Sequence, residues 1–203
     1  MKAPFIVMSG LPASGKSTLG QVIARAARIP MLDKDDILEA LFESRGIGDA
    51  DWRRRLSRIA DQELIERACM LPAAVIASWW HHPRSSAASG TPTEWLQSLH
   101  GEVIEVYCVC SPNVAASRFM ARERHAGHLD GQHMFEGLLE SFQAQAALGP
   151  LKVGRTIEVG TEDQPNVAWL LSQLGFEPGV GEVCTPSQAY GALSPRPLRV
   201  TFA

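Results

Sequence analysis

Gly10-Leu11-Pro12-Ala13-Ser14-Gly15-Lys16-Ser17-Thr18 decides how this chain is read. The stretch satisfies G-x-x-x-x-G-K-[ST] at every fixed position, the pattern of a loop that cradles phosphates. Its setting agrees. Pro4-Phe5-Ile6-Val7-Met8-Ser9 is a continuous apolar run that predicts a buried strand, and Leu19, Val22, Ile23, Ala26 and Ala27 follow at helical spacing. Strand, glycine loop and helix in that order are the context the motif requires. Gly10 and Gly15 let the backbone curl until several N–H groups point at one spot, and the helix adds its positive end. Gly10, Ala13, Ser14, Gly15, Lys16, Ser17 and Thr18 are therefore the expected nucleotide contacts. Lys16 would meet the β- and γ-phosphates, and the Ser17 hydroxyl would meet Mg²⁺.

Working outward, strand and helix signals alternate. Pro30-Met31-Leu32-Asp33 predicts a short strand, followed by a helix that Asp35 or Asp36 could cap. A long helix is expected from about Asp51 to Met70. Ala73 to Ser78 and Val103 to Cys110 read as strands, the latter the clearest in the chain. Thr91-Pro92-Thr93-Glu94 has the capping-box pattern and predicts a short helix through Leu99. Ser111-Pro112 opens another helix, a polar stretch from His125 to His133 interrupts it, and Phe135 to Phe142 resume helical spacing. Thr156 to Val159 predict the last strand and Pro165 to Leu174 the last helix, stopped by Gly175. Apolar strands alternating with helices imply a five-stranded parallel sheet covered on both faces, an α/β three-layer domain with ligands at the carboxyl ends of its strands. The domain is expected over residues 1–177. Residues 178–203, rich in Gly, Pro and Ser, form a tail.

Bulk properties narrow the function. The chain has 203 residues, 45% hydrophobic and 20% charged, as for one globular domain. A formal net charge of −3 provides no global attraction for nucleic acid or anionic membrane. No apolar run approaches a membrane span, and the N-terminus enters the first strand directly, so no leader is expected. Cys69, Cys108, Cys110 and Cys184 form no C-x-x-C pair, and reduced cytoplasmic thiols are the expectation.

Two further clusters carry chemistry. Asp33-Lys34-Asp35-Asp36 closes the second strand, where a phosphoryl-transfer enzyme needs a carboxylate to take the acceptor's proton. Helix capping is the alternative use of the same residues. Arg118, Arg122 and Arg124 with His125 follow the fourth strand. Arg118 and Arg122, four apart, should share a helix face, which is unfavourable unless an anion such as a polyphosphate lies between them. No strand ends in the apolar run followed by Asp that usually holds Mg²⁺ in motor ATPases, and no N-K-x-D sequence for guanine occurs. Both absences point toward a small kinase.

Gly10 to Thr18, Asp33-Lys34-Asp35-Asp36-Ile37 and Arg124-His125-Ala126-Gly127-His128-Leu129-Asp130 together resemble the AAA_33 group of P-loop kinases. That group is similar to chloramphenicol phosphotransferase, zeta toxins and the kinase domain of polynucleotide kinase. The resemblance spans roughly residues 4 to 175. It implies a P-loop NTPase fold, ATP and Mg²⁺, and phosphorylation of a hydroxyl. It further implies Asp35 as general base with Asp33 as second choice, Arg118 and Arg122 as catalytic arginines, and a lid around 118–134. Leu38 stands where the polynucleotide kinase pattern has an arginine, which argues against a polynucleotide acceptor. Ser78-Trp79-Trp80-His81-His82-Pro83-Arg84-Ser85 follows the third strand. Trp79, Trp80, His81 and Arg84 could therefore meet the acceptor, or the tryptophans could belong to the core. Arg53-Arg54-Arg55 is expected to coat an exposed helix side. The resulting expectation is ATP-dependent transfer of the γ-phosphoryl group to a small-molecule hydroxyl (antibiotic, nucleoside or sugar). A polynucleotide 5′-hydroxyl kinase and a non-catalytic, toxin-like nucleotide-binding module are the alternatives.

Overall fold

A computed structural model describes residues 3–87 and 89–176; the C-terminal tail lies outside them. Five strands form one all-parallel sheet in the order β2-β3-β1-β4-β5. They are β1 (Phe5–Gly10), β2 (Met31–Asp33), β3 (Ala74–Ala77), β4 (Val103–Val109) and β5 (Arg155–Gly160). Among the described residues, six α-helices accompany them: α1 (Lys16–Ala27), α2 (Lys34–Arg45), α3 (Ala50–Met70), α4 (Pro112–Ala121), α5 (Phe135–Ala146) and α6 (Val167–Gln173).

The side-chain period of two along a strand divides the core. Phe5 and Val7 of β1 face α2 and α3, where Leu38, Leu41, Phe42, Leu56, Ala60 and Leu64 are buried. Ile6 and Met8 face the other way, against Leu19 and Ile23 of α1 and Leu170 and Leu171 of α6. Both faces of β1 are thus covered, which is why its sequence is apolar without alternation. A third cluster, with Leu11, Phe119, Leu138 and Phe142, packs α4 and α5 together beside the strand ends. Leu38 is buried in the first cluster, so its side chain cannot reach an acceptor. Cys108 and Cys110 are buried free thiols, and Cys69 is an exposed one.

Several local expectations change. Asp33, rather than Asp35 or Asp36, caps α2, its Oδ1 accepting the Asp35 N–H at 3.0 Å. Asn166 caps α6, so that helix begins at Val167 and not near Pro165. Thr91 opens no helix. It pairs in a β-bridge with Trp80, and only a 3-10 turn, Glu94–Ser98, follows. The Thr91 hydroxyl is occupied instead by Asp61 Oδ1 at 2.7 Å and Ser78 Oγ at 2.5 Å. The strand that reads most clearly also hides a charge. Glu105 of β4 is fully buried and accepts hydrogen bonds from Ser9 Oγ, the Leu151 and Lys152 amides and Thr156 Oγ1. With all these donors in place the carboxylate stitches the approach to β5 onto the middle of the sheet.

Leu56 is wholly buried where α3 meets the sheet. Leu56→Ala should lower the unfolding free energy by about 2–5 kcal/mol, measured by denaturant titration, through lost burial and the cavity left behind.

Candidate active site

The phosphate loop joins β1 to α1. Gly10 has φ 125°, and a Cβ there would lie 2.5 Å from the Cys108 carbonyl oxygen of β4, so only glycine lets the loop leave the sheet this closely. Ala13 and Gly15 also take positive φ, and the chain closes into a turn through Ser14 N–H to Leu11 O at 3.1 Å. Lys16 is buried, its Nζ donating to Leu11 O at 2.7 Å and Gly10 O at 3.1 Å. Burial pulls its pKa down, while Asp35 and Asp33 act in the opposite direction. The Ser14 hydroxyl is buried without a partner among the described residues. An unsatisfied donor and a self-bonded ammonium in a left-handed loop fit an anionic ligand such as a triphosphate.

Strand β3 lies between β1 and β2, so the loop and the acidic cluster flank its carboxyl end rather than touch as sheet neighbours. A buried hub holds that end. Lys34 Nζ lies 2.6 Å from Asp61 Oδ1 of α3 and donates to Thr91 Oγ1 at 3.2 Å. Burial lowers the Lys34 pKa and the Asp61 carboxylate opposes this. The hub pins the start of α2 to α3 and to the residue after β3, which sets Asp33 and Asp35 on either side of Lys34. Asp33 is buried and its pKa is raised to about 6, chiefly by desolvation, against the opposing hydrogen bond of the Ser17 hydroxyl. Ser17 and Asp33 thus form a neighbouring oxygen pair of the type a hard cation selects.

Asp35 is half exposed. Arg124 Nη2 binds its Oδ2 at 2.5 Å, while Arg124 Nη1 holds Asp130 Oδ2 at 3.1 Å. Arg122 reaches the same Asp130 oxygen at 3.4 Å and stacks its guanidinium 4.3 Å from the Phe119 ring centroid. Helix α4 ends at Ala121, and Arg122 has left helical geometry at ψ 140°. Arg118 and Arg122 are consequently not stacked on one helix face, although both line the same cavity. Arg118 donates to the Thr161 and Glu162 carbonyls after β5, at 2.9 and 2.7 Å.

The segment after α4 is folded over α2. His125 stacks on Phe42 at 5.2 Å between centroids, and His128 Nε2 lies 2.8 Å from Glu39 Oε1. Gly127 sits against the Phe42 ring, where a Cβ would come within 2.5 Å. Burial lowers the His128 pKa, with Arg124 acting in the same direction.

One cavity of about 550 Å³ brings together Lys16, Ser17, Asp33, Asp35, Trp79, Arg118, Arg122 and Arg124. An adjoining crevice, lined by Gly15, Thr18, Arg118 and 161–165, extends from the phosphate loop past β5. The expected acceptor loop divides. Trp79 lines the main cavity, 42% exposed. Trp80 is a core residue whose indole N–H donates to the Met8 carbonyl at 2.8 Å. The His81 amide pairs with Thr91 O, and its side chain lines no cavity with Asp35. Arg84 binds the Leu148 carbonyl and His82 the Pro150 carbonyl, strapping the loop to the segment after α5.

Arg53 is the residue that sequence reasoning set aside. Arg54 pairs with Asp51 and Arg55 lies over Trp52 at 5.2 Å, both outward, whereas Arg53 lines the main cavity. The signal was available. Arg53 precedes Leu56, Ala60 and Leu64 at spacings of three, seven and eleven, so it extends the buried stripe of α3 by one turn.

Fold and site together define a protein of the phosphate-loop kinase class. The AAA_33 family model, described as an AAA domain, matches residues 5–146, and the chain belongs to that family. A structure of a candidate kinase from Chloroflexus aurantiacus is 27% identical, covers 86% of this chain and 98% of that one, and superposes with a TM-score of 0.73. A sugar kinase from Janibacter sp. HTCC2649 shares the fold at 20% identity, covering 89% and 99%, with a TM-score of 0.52. A shikimate kinase from Corynebacterium glutamicum is 44% identical over 39 residues, which is 19% of this chain and 23% of that protein. Among the described residues, no helix is long and apolar enough to cross a membrane.

The Asp33 shift makes a signed prediction. A folded pKa raised from 3.8 to about 6 contributes stability below pH 3.8 that is lost as pH rises through about 6. That loss is roughly 3 kcal/mol at most in the metal-free protein. Asp33→Asn keeps an oxygen to cap α2 and should flatten this part of the pH–stability curve, leaving the variant more stable than wild type above pH 6. Thermal melts across the range, with and without Mg²⁺, check it; the cation should stabilise the wild type and not the Asn variant.

Proposed function

We propose that this protein transfers the γ-phosphoryl group of ATP to a hydroxyl of a small molecule. The observation that carries the proposal is the shared cavity, in which the Lys16 loop and the Asp33–Asp35 pair face one space. The named substrates of the kinases of like fold, a sugar among them, suit the same reading.

Each residue then has a task. The loop amides and Lys16 bind the β- and γ-phosphates, and the crevice at 161–165 receives the nucleoside. Ser17 and Asp33 would hold Mg²⁺, which supplies charge neutralisation for the phosphoryl group. Asp35 accepts the proton of the acceptor hydroxyl. Arg124 orients it by binding Oδ2, and Oδ1 has no hydrogen-bond partner among the described residues. Arg118, fixed on the carbonyls after β5, and Arg122 place guanidinium charge beside the loop. The segment from 122 to 134, seated on Phe42 and Glu39, acts as a lid that keeps water from the transferring group. Trp79 forms a wall for the acceptor. Residues 1–177 are the catalytic domain in this reading.

The test is an ATP-consumption screen over hydroxylated metabolites and antibiotics, with mass spectrometry for a product heavier by one phosphate. A product is expected from at least one class of acceptor; nucleotide binding with no transfer to any would remove the proposal. Against the best acceptor, Asp35→Asn should lower kcat about 10²–10⁴-fold while nucleotide affinity holds. Lys16→Ala should weaken nucleotide binding and turnover together, read by calorimetry and by rate.

A further inference from the structure

Charge around Asp35 is unevenly matched. Four guanidiniums, Arg53, Arg118, Arg122 and Arg124, share the cavity with the carboxylates Asp33, Asp35 and Asp130. Arg124 binds one oxygen of Asp35 and one of Asp130, and Arg122 takes a longer contact with Asp130. The Arg53 side chain makes no hydrogen bond or ion pair among the described residues, and its Nε is buried without a partner. It is half-buried and aimed inward, while its two neighbours in sequence are satisfied outside.

A guanidinium drawn out of water without a partner carries an uncompensated desolvation cost. An anion arriving in the cavity would relieve that cost. The nucleotide has its own arginines. The nucleoside crevice is lined by Arg118 and not by Arg53, and Arg122 is the arginine whose field reaches Lys16. Arg53 instead shares its surroundings with Asp130, Arg124 and Asp35, at the acceptor end. An arginine there offers its two Nη–H groups as a parallel pair, the geometry that grips a carboxylate or phosphate oxygen pair.

We infer that the acceptor is itself an acid, a small polyhydroxy compound whose carboxylate or phosphate is held by Arg53 while its hydroxyl meets Asp35. This rests on the kinase reading above and names the substrate class for that site. Asp35 takes the hydroxyl proton, the oxygen bonds the γ-phosphorus, and the bond to the leaving diphosphate breaks. The acid group keeps its charge throughout, so it contributes binding and orientation, not proton transfer.

The experiment uses the full chain saturated with a non-hydrolysable ATP analogue and Mg²⁺, so that the phosphate loop is filled. Calorimetric titration then compares charged probes with neutral counterparts: gluconate with glucitol, and glycerol 3-phosphate with glycerol. The charged member of at least one pair should bind ten-fold or more tightly, and which pair responds distinguishes carboxylate from phosphate. Arg53→Gln should abolish that preference with analogue affinity unchanged, and Arg53→Lys should restore only part of it, because it keeps the charge and loses the fork. A wild type that binds charged and neutral probes alike, or an Arg53→Gln protein that keeps the preference, overturns the inference and leaves the kinase reading intact. Failure of the analogue to bind defeats the kinase reading itself, and this inference with it. A purely structural Arg53 would lower the melting temperature on substitution without moving the ratio of charged to neutral affinity, which also overturns it.

Discussion

Crowding of charge at the carboxyl ends of five parallel strands is the constraint to which the rest of this structure answers. Lys16 lies buried against two carbonyls of its own loop, Asp33 is buried beside Ser17, and Arg122 and Arg124 converge on a single Asp130 oxygen. None of these groups would leave water unaided. They are held there because the sheet and its helices bury enough apolar surface on both faces to fix the backbone from which they project. The site is therefore organised before any ligand enters, and an incoming anion meets dipoles and charges already in position.

The polar hub of Lys34, Asp61, Thr91 and Ser78 is the structural counterpart of that site. It joins α2, α3 and the chain after β3 through short hydrogen bonds that leave each member satisfied. A buried network of this kind rigidifies its surroundings only when complete. Its position one residue from both Asp33 and Asp35 makes it the support for that side of the cavity. Glu105 has a similar role at the other side of the sheet, where four donors converge on one carboxylate. The segment after α4 depends on a third device, aromatic stacking of Phe42 and His125 over a glycine that leaves room for the ring.

Arg124 shows how tertiary contacts redistribute roles. On the sequence it is one of a basic series after the fourth strand. In the fold it bridges the segment after α4 to Asp35, so the orientation of that carboxylate and the seating of the segment are one interaction. Arg53 belongs to the same neighbourhood from a helix some seventy positions earlier. Neither relation is local, and no spacing rule could have announced the pairing.

What residue order determined by itself is the part governed by short-range geometry. The phosphate loop, its flanking strand and helix, the parallel α/β alternation and the acidic cluster all follow from backbone freedom at glycine, from periodicity and from apolar runs. Those forces act within a few residues, so the linear pattern displays them. Tertiary structure alone decided which side chains share the cavity. It made Trp80 a core residue and Trp79 a wall, and turned Thr91 from a helix cap into the centre of a hub. These outcomes depend on desolvation and on partners far apart in the chain. Their balance exists only once the sheet order and helix packing have brought the charges together.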